Sequence, residues 1–106
     1  DAATVPIDFT IDLKKVVQDL DVVYMNAIAL LGDSYRRLGS RFKLNKETQF
    51  KKGSVILHPL ARQDELSVEL DKTPHNLYFN QADGAVFVRQ ALLLTIFNQV
   101  NKIQGA

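Results

Sequence analysis

Two stretches of the chain carry apolar residues at the three- and four-residue spacing that is typical of a helix. The first runs from Leu13 to Leu38, and its stripe consists of Leu13, Val17, Leu20, Tyr24, Ala27, Leu31, Tyr35 and Leu38. This spacing predicts a long N-terminal helix that ends at Gly39, a natural C-terminal cap. Gly32 is the position at which such a helix would kink or divide.

The second stretch follows Asp83, a candidate N-cap, and runs to Gln104. Over its first three turns this stretch is apolar almost all round, which is typical of a helix buried on several sides. We therefore expect a buried C-terminal helix. Its largest apolar residues form either the core of the molecule or an interface with a partner: Phe87, Leu92, Leu93, Ile96 and Phe97.

Between the two helices the pattern changes to the two-residue alternation of strands. The run Ser54–His58 is rich in β-branched residues and is stopped by Pro59. Leu66, Val68 and Leu70 alternate with polar residues, and Leu77-Tyr78-Phe79 is a third short candidate. Two or three strands of this length predict a small antiparallel sheet, and the predicted fold class is α+β.

Length and composition add few constraints to this picture. A chain of 106 residues with 46% apolar and 24% charged residues is expected to form a single globular domain over residues 1–106. The chain has no cysteine, which excludes disulfides, thiolate metal sites and a cysteine nucleophile. Because no run approaches 18 apolar residues, no membrane span is predicted.

The sequence does not choose a compartment. It begins with Asp1 followed by small residues, which fits either a processed mature end or an arbitrary boundary.

Positive charge is concentrated in one segment. Seven of the thirteen bases lie between Ser34 and Lys52, with Glu47 as the one acid among them: Arg36, Arg37, Arg41, Lys43, Lys46, Lys51 and Lys52. Such a basic segment is a candidate binding surface for an anionic partner. Three interpretations stand: an acidic protein surface or a second copy of the chain, a nucleic acid stacked on the interleaved aromatic rings, or an ordinary solvated surface.

Candidate catalytic chemistry is sparse. The two histidines, His58 and His75, lack the spacing of a metal site, and both are expected at the surface or at an edge. The four serines lie outside any Gly-x-Ser-x-Gly elbow, and no glycine-rich phosphate loop is present. The sequence therefore predicts no catalytic residues, no metal and no cofactor.

These observations favour a non-enzymatic interaction or assembly module that self-associates or docks in a larger complex. The alternative is a nucleic-acid-binding domain that uses residues 36–52. A more distant third hypothesis is an enzyme in which His58 or His75 acts with Asp64 or Glu65.

Overall fold

A computed structural model describes residues 5–26 and 39–98 of the chain. In chain order the elements are helix α1 (Leu13–Val16) running into a 3-10 turn (Val17–Asp19), strand β1 (Val22–Tyr24), a 3-10 turn (Gly39–Phe42), strand β2 (Val55–Leu57), a 3-10 turn (Val68–Lys72) and helix α2 (Tyr78–Ile96). The two strands form the sheet, and α2 is the one long helix within the described residues.

The sheet is a parallel pairing of β1 with β2. Its register aligns Val22 with Val55, Val23 with Ile56 and Tyr24 with Leu57. One backbone hydrogen bond extends the ladder at each end: the Val55 N–H donates to the Asp21 carbonyl at 3.0 Å, and the Met25 N–H donates to the Leu57 carbonyl at 2.8 Å. Parallel strands leave their carboxyl ends at the same edge, which places the chain after Tyr24 beside the chain after Leu57.

The other side of β2 is also paired. The Ile56 N–H donates to the His75 carbonyl at 2.7 Å, and the Leu77 N–H donates to the Ile56 carbonyl at 3.2 Å. Ile56 therefore has partners on both sides. The core closes around it and consists of Val17, Val23, Met25, Leu44, Ile56, Leu66, Leu70 and Tyr78.

The prediction of a long N-terminal helix is wrong for the described residues. Helix α1 is a single turn, capped by the Asp12 carboxylate, which accepts a hydrogen bond from the Lys15 N–H at 3.2 Å. The backbone is extended at Leu20, and the β-branched Val22 and Val23 then enter the sheet. The rest of the predicted stripe, at positions 27–38, lies outside the described residues.

The predicted antiparallel sheet is also wrong. The strand predicted at Ser54–His58 is confirmed as β2, but its partner is parallel, so the arrangement is α/β and not α+β. Of the second candidate strand, Leu66 makes an isolated bridge to Leu44, and the residues after it form the 3-10 turn. The third candidate is the start of α2, since the Gln81 N–H donates to the Leu77 carbonyl.

Helix α2 begins at Tyr78, five positions before the predicted cap, and it is not buried as expected. Only Tyr78 in this helix is buried. The residues predicted for either the core or an interface are all exposed in the chain: Phe87, Leu92, Leu93, Ile96 and Phe97. The reason is length: a 19-residue helix spans about 28 Å, whereas a three-residue strand covers about 10 Å. No helix in the described ranges has the length and apolarity needed to cross a membrane.

A polar cluster ties the start of α2 to the loop after β2. The Arg62 guanidinium donates two hydrogen bonds to the Asp71 carboxylate at 2.8 and 2.9 Å, and the Tyr78 hydroxyl donates a third at 2.5 Å. The hydrogen bonds from Arg62 lower the pKa of Asp71. Burial, and then the hydrogen bond to Asp71, raise the pKa of Tyr78 to about 12.

We expect the Asp71 cluster to make stability sensitive to acid. The folded pKa of Asp71 lies below its unfolded value of 3.8, so its contribution is present above that pH and is lost as the pH falls through the folded value. Asp71→Asn should lower the free energy of unfolding by about 1–3 kcal/mol at pH 7, and this deficit should shrink below pH 3.8. Denaturant unfolding at several pH values measures it, with Tyr78→Phe as a control that keeps the carboxylate. A deficit independent of pH would contradict the assignment.

A matched pair of leucines tests where the core lies. Leu66 is fully buried, whereas Leu93 is 56% exposed. Leu66→Ala should lower the free energy of unfolding by about 2–5 kcal/mol, and Leu93→Ala should change it by about 0.5 kcal/mol or less in the isolated chain. Thermal or urea melts of the two variants measure the difference, and equal losses would show that α2 is packed in the monomer after all.

Candidate functional site

An open cleft of about 580 Å³ lies at the carboxyl ends of the two parallel strands. One wall comes from Tyr24 at the end of β1 and from His58 and Pro59 just after β2. The other comes from the first turns of α2, namely Asn80, Gln81, Ala82, Gly84, Ala85, Val86, Val88 and Arg89. Ligands of parallel α/β sheets bind outside the carboxyl ends of the strands, so this cleft is the candidate site.

Hydrogen bonds join the two walls of the cleft. The His58 N–H donates to the Gln81 side-chain oxygen at 2.9 Å, and the Gln81 amide donates to the Tyr24 hydroxyl at 3.4 Å. One side chain on α2 thereby connects the ends of both strands, and the cleft keeps a defined width.

Arg89 gives the cleft its positive charge. It is the one residue with a formal charge in the lining, and none of the ion pairs within the described ranges involves it. An unpaired guanidinium beside polar amides is suited to bind a carboxylate or a phosphate.

His58 is not the surface or edge residue that the sequence predicted. Its side chain is fully buried, and its Nε2 atom lies 2.9 Å from Oε1 of Glu65, which is 1% exposed. The sequence offered Glu65 only as one of two candidate partners of a histidine, and the structure brings it to His58 from seven positions away along the chain.

His75 also has a partner, Ser54, but the pair is not a nucleophile with its base. Nδ1 of His75 lies 2.8 Å from the Ser54 carbonyl oxygen and 3.2 Å from the Ser54 hydroxyl. A carbonyl accepts only, so Nδ1 carries the proton and has no lone pair to receive one from the hydroxyl. Ser54 is 2% exposed, which also keeps it from any substrate. Within the described residues, no group of three potential ligands gathers where it would hold a metal ion.

The basic segment is largely neutralised in the structure. Lys43 pairs with Asp64 at 2.5 Å, Lys46 with Glu69 at 3.0 Å and Lys51 with Asp21 at 2.7 Å. The hydrogen bond to Glu69 raises the pKa of Lys46, and the hydrogen bond to Asp21 raises that of Lys51.

Two further predicted bases lie within the described residues. The Arg41 guanidinium lies 5.7 Å from the centre of the Phe42 ring, and Lys52 is exposed in a turn. Arg36 and Arg37 lie outside the described residues. The described part of the segment is thus a surface of ion pairs that connects distant parts of the chain.

Sequence reasoning missed Tyr24, Gln81 and Arg89. A signal existed for Arg89, because it is a cation within an otherwise apolar helical stretch. The sequence carried no such signal for Tyr24 and Gln81, because these two side chains come close only through the parallel pairing, which the sequence pattern did not reveal.

Known proteins with similar sequences and structures are carbamoyltransferases. The chain is 40% identical over 92 residues to the aspartate carbamoyltransferase catalytic subunit of Wigglesworthia glossinidia brevipalpis, a match of 82% of this chain and 30% of the relative. It resembles aspartate transcarbamoylase from Trypanosoma cruzi in complex with carbamoyl aspartate and phosphate, at a TM-score of 0.74 and 28% identity. That alignment covers 87% of this chain and 31% of the other.

The same Trypanosoma cruzi enzyme in complex with carbamoyl phosphate and aspartate aligns at a TM-score of 0.64 and 29% identity, over 76% of this chain and 26% of the other. The chain therefore spans about 30% of the length of the relatives that it matches. These relatives are enzymes, so the predicted non-enzymatic assembly module and its nucleic-acid-binding alternative are both wrong.

The family comparison agrees with the geometry of the cleft. The sequence profile described as "Aspartate/ornithine carbamoyltransferase, Asp/Orn binding domain" matches residues 2–96, which is nearly the whole chain. A ligand-binding α/β domain is the architecture in which a cleft at the carboxyl ends of parallel strands is expected. The chain belongs to the family of Asp/Orn-binding domains of aspartate and ornithine carbamoyltransferases.

Proposed function

We propose that this chain forms the amino-acid-binding part of an aspartate carbamoyltransferase and acts together with the remaining part of such a catalytic chain. The observation that carries the proposal is the family match over residues 2–96. Because the relatives are about three times as long, the rest of the active enzyme corresponds to residues outside these 106.

Aspartate is the amino acid that the cleft favours over ornithine. The lining offers the Arg89 guanidinium and contains no carboxylate. Aspartate brings two carboxylates, and a guanidinium binds a carboxylate through two parallel hydrogen bonds. Ornithine brings a second ammonium group, which would meet a like charge at Arg89.

The reaction follows from the ligands bound by the Trypanosoma cruzi enzyme. The amino nitrogen of aspartate attacks the carbonyl carbon of carbamoyl phosphate. A carbon–nitrogen bond forms, the bond from that carbon to the phosphate oxygen breaks, and the phosphate leaves with the electron pair while the nitrogen loses a proton. The role of this chain in the reaction is to hold aspartate and orient its amino group, which lowers the entropic part of the activation barrier.

The exposed apolar residues of α2 supply the contact with the remaining part of the enzyme. Phe87, Leu92, Leu93, Ile96 and Phe97 form more exposed apolar surface than a free helix is expected to carry. Strand β1 is also incomplete, since its outer edge has no neighbour among the described residues and parallel sheets are normally buried on both faces. We infer that these surfaces pack against the rest of the catalytic chain.

Binding of aspartate to the cleft is the first test. Titration of the 15N-labelled chain with L-aspartate should shift the amide signals of Tyr24, His58, Gln81 and Arg89. Arg89→Gln should weaken binding by about tenfold or more, because a charge-assisted hydrogen bond is lost. Lys52→Gln is the matched control, since Lys52 is an exposed base near the opposite end of β2. Ornithine that binds more tightly than aspartate, or an Arg89→Gln variant with unchanged affinity, would contradict the assignment.

Assembly through α2 is the second test. We expect the chain, mixed with the remaining portion of the Wigglesworthia enzyme, to form a complex that converts carbamoyl phosphate and aspartate to carbamoyl aspartate. Leu93→Glu should abolish both the complex and the activity while the isolated variant stays folded, because a charge cannot be buried unpaired in an apolar contact. Analytical ultracentrifugation and a colorimetric carbamoyl aspartate assay measure the two effects, with exposed Lys72→Glu as the control. An active complex of the Leu93→Glu variant would exclude this helix from the contact.

A further inference from the structure

The loop that follows β2, residues 58–65, is organised around a buried pair of polar side chains. His58 is fully buried and Glu65 is 1% exposed, and Nε2 of the ring lies 2.9 Å from Oε1 of the carboxylate. Groups of this kind are buried only when their hydrogen bonds are satisfied, so the partners of each atom reveal what the pair does.

The partners of His58 fix its protonation state. The Leu60 N–H donates to Nδ1 at 2.8 Å, which requires a lone pair on that nitrogen. The proton of the neutral ring is therefore on Nε2 and is donated to Glu65. Because both ring nitrogens are occupied, the ring is not available as an acid or base for a substrate.

Glu65 holds the loop from its other end. Its two carboxylate oxygens both lie 3.1 Å from the Gln63 N–H, which donates to them. Between the two anchors, Leu60 has a φ of 71°, in the left-handed region that residues other than glycine rarely adopt. Such a conformation persists where surrounding contacts enforce it, and here the bond from the Leu60 N–H to the ring supplies one.

The loop is connected to the cleft through the backbone of His58. Its N–H donates to the Gln81 side chain, whose amide in turn reaches the Tyr24 hydroxyl. Hydrogen bonds thus join the buried Glu65 to the His58 ring, and the His58 backbone to Gln81 and onward to Tyr24. The last two of these side chains line the cleft.

We propose that His58 and Glu65 are positioning residues, which set the shape of the aspartate-binding cleft by holding the 58–65 loop and, through Gln81, the Tyr24 side chain. His58 borders the cleft, but neither of the two side chains has surface exposed to a ligand, so both act without contacting it. The expected effect on aspartate affinity rests on the proposed function. The hydrogen bonds themselves can be measured without any ligand.

The test uses variants that separate the two ring nitrogens. His58→Gln places an amide donor near the position of Nε2 and keeps the bond to Glu65. His58→Asn places an oxygen near Nδ1 and keeps the bond from Leu60 but not the one to Glu65. Glu65→Gln replaces one acceptor of the carboxylate with a donor. His75→Gln is the control, since His75 is a half-buried histidine outside the cleft lining.

The ligand-free measurement is nitrogen-15 NMR of the histidine rings together with hydrogen exchange of the Leu60 and Gln63 amides. We expect a neutral His58 ring protonated at Nε2. In Glu65→Gln we expect faster exchange at Gln63 and shifted signals at Gln81 and Tyr24, with the remaining spectrum preserved. A ring protonated at Nδ1, or signals at Gln81 and Tyr24 that do not respond, would overturn the proposal.

The ligand measurement is the affinity for L-aspartate. Glu65→Gln, His58→Asn and His58→Gln should each weaken binding about tenfold, the effect of losing one hydrogen bond of the loop, while His75→Gln should stay close to the unaltered protein. Unchanged affinity in both His58 variants, or in Glu65→Gln, would overturn the positioning role. If Glu65→Gln does not fold, the two His58 variants decide the question. If the unaltered chain does not bind aspartate, the proposed function fails, and the ligand-free measurement alone decides the inference.

Discussion

The structure depends on the pairing of Ile56 on both sides. Its strand pairs in parallel with Val23 on one side, and its N–H and carbonyl bond to His75 and Leu77 on the other. A fully buried side chain at the same position fills the centre of the core. This residue brings together three parts of the chain that are far apart in sequence, so loss of its alignment would separate α2 from the strands and open the cleft.

The same pairing determines where the candidate binding cleft lies. In parallel strands the carboxyl ends meet, and here they deliver Tyr24 and His58 to one edge. The bond of Leu77 to Ile56 then directs α2 across that edge, with Gln81 one turn further on. An antiparallel sheet of the same residues would have placed the ends of the strands at opposite edges and formed no such cleft.

Sequence reasoning recovered local features and failed on long-range ones. The β-branched run at Ser54–His58 and a helix through Phe87 to Ile96 were predictable, because each follows from local propensity and spacing. The N-terminal stripe misled because an apolar spacing of three to four residues fits both a helix and a one-turn helix followed by a strand. Parallel pairing leaves no local signature, since it depends on a connection of some thirty residues between Tyr24 and Val55. The cleft depends on that pairing, so the pattern of apolar and polar residues could not predict it.

The apolar surface of α2 was visible in the sequence, but the inference that this helix is buried within the chain was wrong. An all-round apolar helix does indicate burial, but the pattern does not say what provides it. A core built around two three-residue strands buries only Tyr78 of a 19-residue helix. The same mismatch appears at β1, where Val22 and Tyr24 stay exposed on a strand with one neighbour. Both surfaces require more protein than the described residues provide, which agrees with relatives three times as long. In the assembly proposed above, the hydrophobic effect that folds this chain is also the force that joins it to the rest of the enzyme.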